Sequence, residues 1–249
     1  MKLSISRIKL FKSCRRAYEL KYVHGLTPVE SAEALRVGSN FHAKIEELNN
    51  TGEIDTEDLS RESAMAVAYK KYVYPKFKVE AAEEWNTASL DGVDLISRVD
   101  GISNDGRLVE YKTTSAEITD EYEYNLMWDE QIPMYMYMTG TREVWYVVVR
   151  KPSIRQKKDE SDEDFFNRMV EWYDSDTDKK IRVMLIERTD EEINEFVEEL
   201  RKISFEIGHC SNFYRNPTYC NCWGRRCEYS SICLNYDPSQ EYIGFTKEV

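Results

Sequence analysis

Apolar residues near the N-terminus recur at steps of three and four residues, which is the spacing of one face of an α-helix. Ile8, Phe11 and Cys14 follow this spacing, with lysines and arginines between them, and predict a helix over residues 6–23. The same pattern, interrupted by turn-forming residues, predicts further helices over 30–48, 56–78, 121–140 and 190–207.

The pattern changes over residues 85–114 to short runs of strand-forming residues. These runs are separated by Asp91-Gly92 and Asp105-Gly106, both of which are hairpin signals. Their β-branched and aromatic content predicts a buried strand over 143–149 and another strand over 180–188. Residues 150–163 are polar and predict a loop. We therefore expect an α/β fold with a central mixed sheet flanked by helices, in a single domain over residues 1–249.

Composition narrows the class of protein. The chain has 249 residues, of which 41% are apolar and 32% charged, enough for one domain with a real core. It has neither a membrane-length apolar run nor a secretory signal, which predicts a cytoplasmic protein with no membrane partner. A net charge of −12 argues against a general nucleic-acid coat protein, so any nucleic-acid contact requires a local basic surface.

Two carboxylates and a lysine fall within the hairpin region. Glu110 and Lys112 are two residues apart, so in a strand they lie on one face. A two-residue loop at Asp105-Gly106 would place Asp100 on the opposite face from Glu110, whereas a three-residue loop pairs Asp100 with Glu110. The longer loop ends in a residue with positive φ, and Gly106 suits that position. Two facing carboxylates would bind a hard divalent cation. A solvated strand edge is the alternative, because acid-x-lysine triplets are common in so charged a chain.

Cysteines lie at both ends of the chain, at Cys14 and within the segment 220–233. A reducing cytoplasm disfavours disulfides. Structural zinc usually takes cysteine pairs separated by two to four residues, but the gaps here are one, four and five. A 4Fe–4S cluster also needs four thiolates and accepts varied spacing. Cys210 is the spare thiol. From the residues alone, zinc and iron–sulfur both remain open.

Motifs in five places, in this order, resemble the iron–sulfur, RecB/AddB-like branch of the PD-(D/E)XK nucleases, which includes CRISPR-adaptation and phage exonucleases. The matching segments are Ser4–Tyr18, Gly38–His42, Val99-Asp100-Gly101 with Glu110-Tyr111-Lys112, Gln131–Tyr135 and Cys227–Cys233. Two features depart from the family pattern. Val99 stands where the family name has proline, and the cysteine upstream of Cys227 is not at the usual close spacing. The resemblance implies a restriction-endonuclease-like core.

The resemblance also implies roles for individual residues. His42, Asp100, Glu110 and the backbone carbonyl of Tyr111 would bind Mn²⁺ or Mg²⁺. Lys112 would serve the attacking water, while Gln131 and Tyr135 would position substrate or the lysine. A 4Fe–4S cluster would be bound by Cys14, Cys222, Cys227 and Cys233, with Cys220 as the alternative to Cys222. This cluster would fasten the cysteine-rich C-terminal tail to the N-terminal helix.

The expected function is that of an Mg²⁺- or Mn²⁺-dependent deoxyribonuclease. An exonuclease acting on single-stranded DNA ends is favoured over an endonuclease. Candidate DNA-binding residues are the basic Arg15, Arg16, Lys151 and Arg155. Two alternatives are a catalytically weak DNA- or partner-binding module of the same fold, and a zinc-stapled interaction protein.

Overall fold

A computed structural model describes residues 1–29, 33–76, 78–222 and 225–247, with only the backbone at 34, 35, 81–84, 222 and 225. The α-helices are α1 Ile5–Ser13, α2 Arg15–Tyr18, α3 Glu33–Thr51, α4 Arg61–Tyr72, α5 Asp120–Asn125, α6 Gln131–Thr139, α7 Asp162–Glu171, α8 Asp190–Gly208 and α9 Pro217–Cys220. The strands are β1 Lys2–Leu3, β2 Leu26–Pro28, β3 Val79–Leu90, β4 Val93–Ser103, β5 Leu108–Thr114, β6 Glu143–Arg150, β7 Ile181–Glu187, β8 Asn221–Cys222, β9 Arg225–Arg226 and β10 Phe245–Lys247.

The chain forms two compact units, each assembled from separate segments. The first unit contains Met1–Ala32, Thr87–Ser97 and Glu195–Val249, and the second contains Glu33–Asn86 and Arg98–Asn194. Consequently β3, β4 and α8 each run from one unit into the other.

In the second unit, a mixed sheet has the strand order β4-β5-β6-β7. Strands β4 and β5 are antiparallel, β5 and β6 are parallel, and β6 and β7 are antiparallel. Buried side chains of α3 and α4, among them Phe41, Ile45 and Tyr69, pack against Val109 and Val147 of the sheet. The prediction of a central mixed sheet flanked by helices is confirmed.

Alternate side chains of β5 point to opposite faces of the sheet, so that one set lies in the apolar core and the other in the candidate site. Val109 and Tyr111 belong to the apolar core under α3 and α4, where the Tyr111 hydroxyl lies 3.1 Å from the hydroxyl of Tyr69. Because successive strand residues point to opposite faces, Glu110 and Lys112 lie on the other face of the sheet. There they meet α6 instead of the core.

In the first unit, the cysteine-rich tail packs on the N-terminal segment. Cys14, Leu20 and Leu26 form an apolar cluster with Tyr229 and Ile232 of the tail. The Tyr229 hydroxyl donates a 2.9 Å hydrogen bond to the carbonyl of Leu26. Strand β10 pairs antiparallel with β2. The predicted docking of the tail on the N-terminal helix is therefore confirmed.

Some predicted helices are interrupted or were missed. The helix predicted over 6–23 breaks at Cys14, which is extended (φ −159°, ψ 108°), and resumes as α2 and a π-helical turn. The helix predicted over 121–140 breaks before α6, at the extended Asp129 (φ −76°, ψ 110°). Helix α7 was not predicted. In the described residues no helix has both the length and the apolar character needed to cross a membrane.

Candidate active site

The hairpin between β4 and β5 sets the position of the acids. Gly101 lies opposite Val109 and Ile102 opposite Leu108, and the amide of Ser103 donates to the carbonyl of Arg107. This register leaves a three-residue loop, 104–106, in which Gly106 has a φ of +80°. The three-residue loop is confirmed, and beyond the Gly101–Val109 pair the side chain of Asp100 contacts β5 next to Glu110, at the backbone amide of Tyr111.

Asp100 is held from two sides. One carboxylate oxygen, Oδ2, accepts a 2.7 Å hydrogen bond from the backbone amide of Tyr111. The other, Oδ1, lies 3.2 Å from Nδ1 of His42 on α3. Burial lowers the pKa of His42, but the hydrogen bond to Asp100 and the charges of Asp100 and Glu110 outweigh it, so the pKa is raised overall. The structure thus brings His42 and Asp100 together.

Glu110, Lys112, Gln131 and Tyr135 form one hydrogen-bonded network. Lys112 donates to Glu110 and, over 3.0 Å, to Oε1 of Gln131. The side-chain amide of Gln131 donates to Glu110 over 2.9 Å and also to the Tyr135 hydroxyl. That hydroxyl donates a 2.8 Å hydrogen bond to the carbonyl of Arg98 in β4. Because Gln131 and Tyr135 are one turn apart on α6, they reach the same face of the sheet.

Glu110 is the buried carboxyl group of the site, and its burial disfavours the charged form. The residue is 2% exposed, and its Oε2 is a buried acceptor for which the described residues supply no hydrogen-bond donor. Burial, together with the charge of Asp100, raises the pKa of Glu110 to about 7, although Lys112 and His42 oppose the rise. Burial lowers the pKa of Lys112, but the charge of Glu110 outweighs it and the pKa of the lysine is raised.

The donor set fits a hard divalent cation in its chemistry. Two carboxylates and an imidazole suit Mn²⁺ and accept Mg²⁺. In the conformation described here, Glu110 is bound by Lys112 and Asp100 by His42. Across the described residues, no three His, Cys, Asp or Glu side chains are already arranged to hold a metal ion. Lys112 and Gln131 both bind Oε1 of Glu110, so Oε2 is the oxygen that would be available to a cation.

The described cysteines are free thiols, at Cys14, Cys210, Cys220, Cys227 and Cys233. Cys14 is buried in the apolar cluster of the first unit, and Cys227 and Cys233 pack against that cluster. Burial raises the pKa of both Cys227 and Cys233, and the nearby thiols of Cys14 and Cys220 add to the rise. The side chain of Cys222, the ligand preferred from sequence, lies outside the described residues.

The four candidate DNA-binding residues fall in both units. Arg15 forms a 2.8 Å ion pair with Glu206, and Arg16 pairs with Glu19. In the second unit Arg155 is exposed, but Lys151 is only 8% exposed. Little of the Lys151 side chain is therefore accessible to a phosphate, and the basic run around it gave no sign of this burial.

Two groups that support the candidate site were not predicted from the sequence. Asp129 accepts a 2.8 Å hydrogen bond from the amide of Gln131 and so fixes the start of α6. An acidic residue two positions before a helix is a recognisable capping signal, and it was available in the sequence. The second group is the backbone carbonyl of Arg98, which accepts the hydrogen bond from the Tyr135 hydroxyl. No sequence pattern indicates this contact, because every residue has a backbone carbonyl.

A β-hairpin with paired acids, followed by a strand lysine and a buttressing helix, defines a nuclease-like site on a mixed sheet. The sequence model of the PD-(D/E)XK nuclease superfamily matches residues 2–234, and the chain belongs to this superfamily. Its members generally use divalent metals such as Mg²⁺ or Mn²⁺. Comparison with curated proteins gave no match.

One solved structure shares the fold at low sequence identity, and others are less similar. A putative exonuclease from Eubacterium rectale is 15% identical, with a TM-score of 0.56 over 97% of this chain and 90% of that chain. Weaker similarities include a phage related exonuclease from Haemophilus somnus, 13% identical with a TM-score of 0.37 over 78% of this chain and 94% of that one. An alkaline exonuclease from Laribacter hongkongensis is 17% identical, with a TM-score of 0.36 over 84% of this chain and 90% of that one.

Proposed function

We propose that this protein is an Mg²⁺- or Mn²⁺-dependent deoxyribonuclease that acts as an exonuclease on single-stranded DNA ends. The observation that carries the proposal is the buried carboxylate of Glu110, which shares one network with Lys112 and Gln131 and keeps one oxygen without a donor. Burying a carboxylate is costly, so a site that does so without satisfying it is typical of catalysis or metal binding. The superfamily match and the putative exonuclease that shares the fold support cleavage of nucleic acid from an end.

In this proposal His42, Asp100, Glu110 and the carbonyl of Tyr111 hold the cation. A divalent cation supplies a water of lowered pKa and neutralises charge on the phosphate. Hydrolysis joins the oxygen of water to phosphorus and breaks the phosphorus–oxygen bond to the sugar, whose oxygen takes up a proton.

The chain's own residues orient the reacting groups. Lys112 presents its ammonium group beside Glu110, where it can offset the negative charge of the phosphate or orient the attacking water. Gln131 restrains Lys112, and Tyr135 restrains Gln131 by linking it to the backbone of β4. This chain of hydrogen bonds fixes the lysine without placing another charge in the site.

A nuclease assay on end-labelled DNA tests the proposal. Single- and double-stranded substrates are incubated with Mn²⁺, Mg²⁺ or EDTA, and a circular single strand separates exonuclease from endonuclease action. Lys112→Ala should lower cleavage by about 10²-fold or more, as for loss of a positioned acid–base group. Lys78→Ala removes an exposed lysine of the same unit and should cleave normally. No cleavage by the native protein with either metal would favour a catalytically weak binding module instead.

The finer assignment, to the RecB/AddB-like iron–sulfur branch, includes a structural 4Fe–4S cluster. Cys14, Cys227 and Cys233 would be ligands, and they gather around one apolar cluster. Cys222 is the preferred fourth ligand and Cys220 the alternative; the carbonyl of Cys220 accepts a 3.0 Å hydrogen bond from the Cys227 amide.

Metal analysis tests the cluster. Anaerobically purified protein should be brown and contain about four irons per chain. The iron content of Cys220→Ser and Cys222→Ser identifies the fourth ligand, because only the variant that lacks this ligand should lose iron. Cys210→Ser is the matched control. Stoichiometric zinc in never-oxidised protein would instead support the zinc-stapled alternative.

A further inference from the structure

Two stretches of this acidic chain contain no aspartate or glutamate. Residues 1–18 and 207–227 are both free of acids, although the whole chain has 46 Asp and Glu against 34 Lys and Arg. Their basic residues are Lys2, Arg7, Lys9, Lys12, Arg15 and Arg16 in the first stretch, and Arg215, Arg225 and Arg226 in the second. Each of these two stretches therefore carries a local excess of positive charge.

The fold of the first unit joins these two stretches. The amide of Arg16 donates a 3.2 Å hydrogen bond to the carbonyl of Tyr214. The side-chain amide of Asn216 donates to the carbonyl of Ser13 over 2.8 Å. The guanidinium of Arg15 lies 5.1 Å from the centre of the Tyr214 ring. Residues 13–16 and 214–216 of the two stretches therefore lie side by side, with arginines next to an aromatic ring.

A pocket of about 360 Å³ opens on this surface. Its lining residues are Arg16, Phe213, Tyr214, Arg215, Cys233 and Leu234. Tyr214 is 56% exposed, so part of its ring is available to a ligand. Arg16 is already paired with Glu19, whereas the Arg215 guanidinium has no ion-pair partner within the described parts of the chain. The pocket thus combines an exposed aromatic ring with a guanidinium that no carboxylate of the described residues pairs, beside Cys233, which is also a proposed cluster ligand.

We propose that this pocket binds one nucleotide of a single DNA strand, with the base stacked on Tyr214 and its phosphate bound by Arg215. Charge complementarity favours a polyanion, because a guanidinium forms paired hydrogen bonds with phosphate. The ring favours an unpaired base, since a base face is available for stacking only outside a duplex. This inference rests on the proposed function, for which it supplies a substrate contact outside the carboxylate site.

Fluorescence anisotropy with a labelled single-stranded oligonucleotide tests the pocket, in EDTA so that no cleavage occurs. Tyr214→Ala should raise Kd by roughly 5- to 100-fold, the range expected for loss of one base–aromatic stack. Tyr214→Phe keeps the ring and should bind like the native protein. Arg215→Ala should lower the slope of log affinity against log salt by about 0.7, as for one phosphate contact on a single strand. Lys76→Ala, an exposed lysine in the second unit, should leave both quantities unchanged.

An abasic oligonucleotide separates stacking from a folding defect. Tyr214→Ala should bind an abasic strand as tightly as the native protein does, whereas a misfolded variant would lose affinity for both strands. The proposal is overturned if Tyr214→Ala and Arg215→Ala bind the normal strand like the native protein, or if the native protein binds no single strand. Cleavage with Mn²⁺ in either case would leave the proposed function standing. If these variants lose binding but the native protein shows no cleavage, the nucleotide-binding pocket would be supported and the proposed nuclease activity refuted.

Discussion

Replacing Glu110 with glutamine should stabilise the metal-free protein while abolishing cleavage. The folded protein raises the pKa of Glu110 to about 7, chiefly because the carboxyl is buried. A carboxyl whose pKa is raised on folding contributes its stability below the unfolded pKa and loses it as pH rises through the folded value. Above pH 7, the buried carboxylate therefore opposes folding.

The size of the effect follows from the shift. Against an ordinary value of 4.5, a pKa of about 7 corresponds to at most about 3 kcal/mol, at about 1.36 kcal/mol per pKa unit. Glu110→Gln removes this cost but replaces the ion pair with Lys112 by a neutral hydrogen bond. Gln131 and water can partly compensate Lys112, because its side chain is 31% exposed and already donates to Gln131. We expect a net gain of about 1–2 kcal/mol at pH 8, or roughly 3–6 °C in Tm.

Thermal unfolding in EDTA at pH 8 and pH 5 measures this gain, which should shrink at the lower pH. Saturating Mn²⁺ should then raise the Tm of the native protein but not that of Glu110→Gln; a ligand at 100 times its Kd contributes about 2.7 kcal/mol. Glu62→Gln is the matched control, because Glu62 is a buried carboxylate of the same unit that contacts Asn40 and not the site. A Glu110→Gln protein less stable than the native one at pH 8, or equally stabilised by Mn²⁺, would refute the reasoning.

Other variants test the supports of the site. Tyr135→Phe loses the hydrogen bond to the Arg98 carbonyl, so chemical denaturation should show a loss of about 1 kcal/mol, with Tyr137→Phe unchanged. Gly106→Ala forces a φ of +80° on a residue with a side chain, and the same measurement should show a loss of about 1–2 kcal/mol. If a cluster fastens the tail to the N-terminal helix, Cys227→Ser should lower thermal stability and solubility together. Cys210→Ser should lower neither. Equal melting temperatures of the two variants would exclude this structural role of the cluster.

The sequence predicted the parts of the site that depend on local rules. Turn length and the need for a positive φ at Gly106 fixed the hairpin register, because both are properties of a few adjacent residues. Strand periodicity likewise placed Glu110 and Lys112 on one face. Helix α7 was also within reach, since Ser161 caps it and three acids follow in its first turn.

Contacts between distant segments were beyond the sequence. Helical periodicity runs through Cys14, yet the chain is extended there and its backbone continues into a separate short helix. The pairing of β10 with β2 joins residues more than two hundred positions apart, and no local pattern specifies it. Arg215 and Tyr214 were missed for the same reason, because their stretch becomes part of a basic surface only where it meets Arg16.

The loop after β4 decides which residues of β5 perform chemistry. Val109 and Tyr111 fill the core on one face, while Glu110 and Lys112 meet α6 on the other. A loop shorter by one residue would pair Asp100 with Tyr111, so the aspartate would face away from Glu110. The two acids could then not share the proposed cation, although every residue of the motif would remain. A residue count of three in one turn, closed by Gly106, therefore controls both the packing of this strand and the geometry of its site.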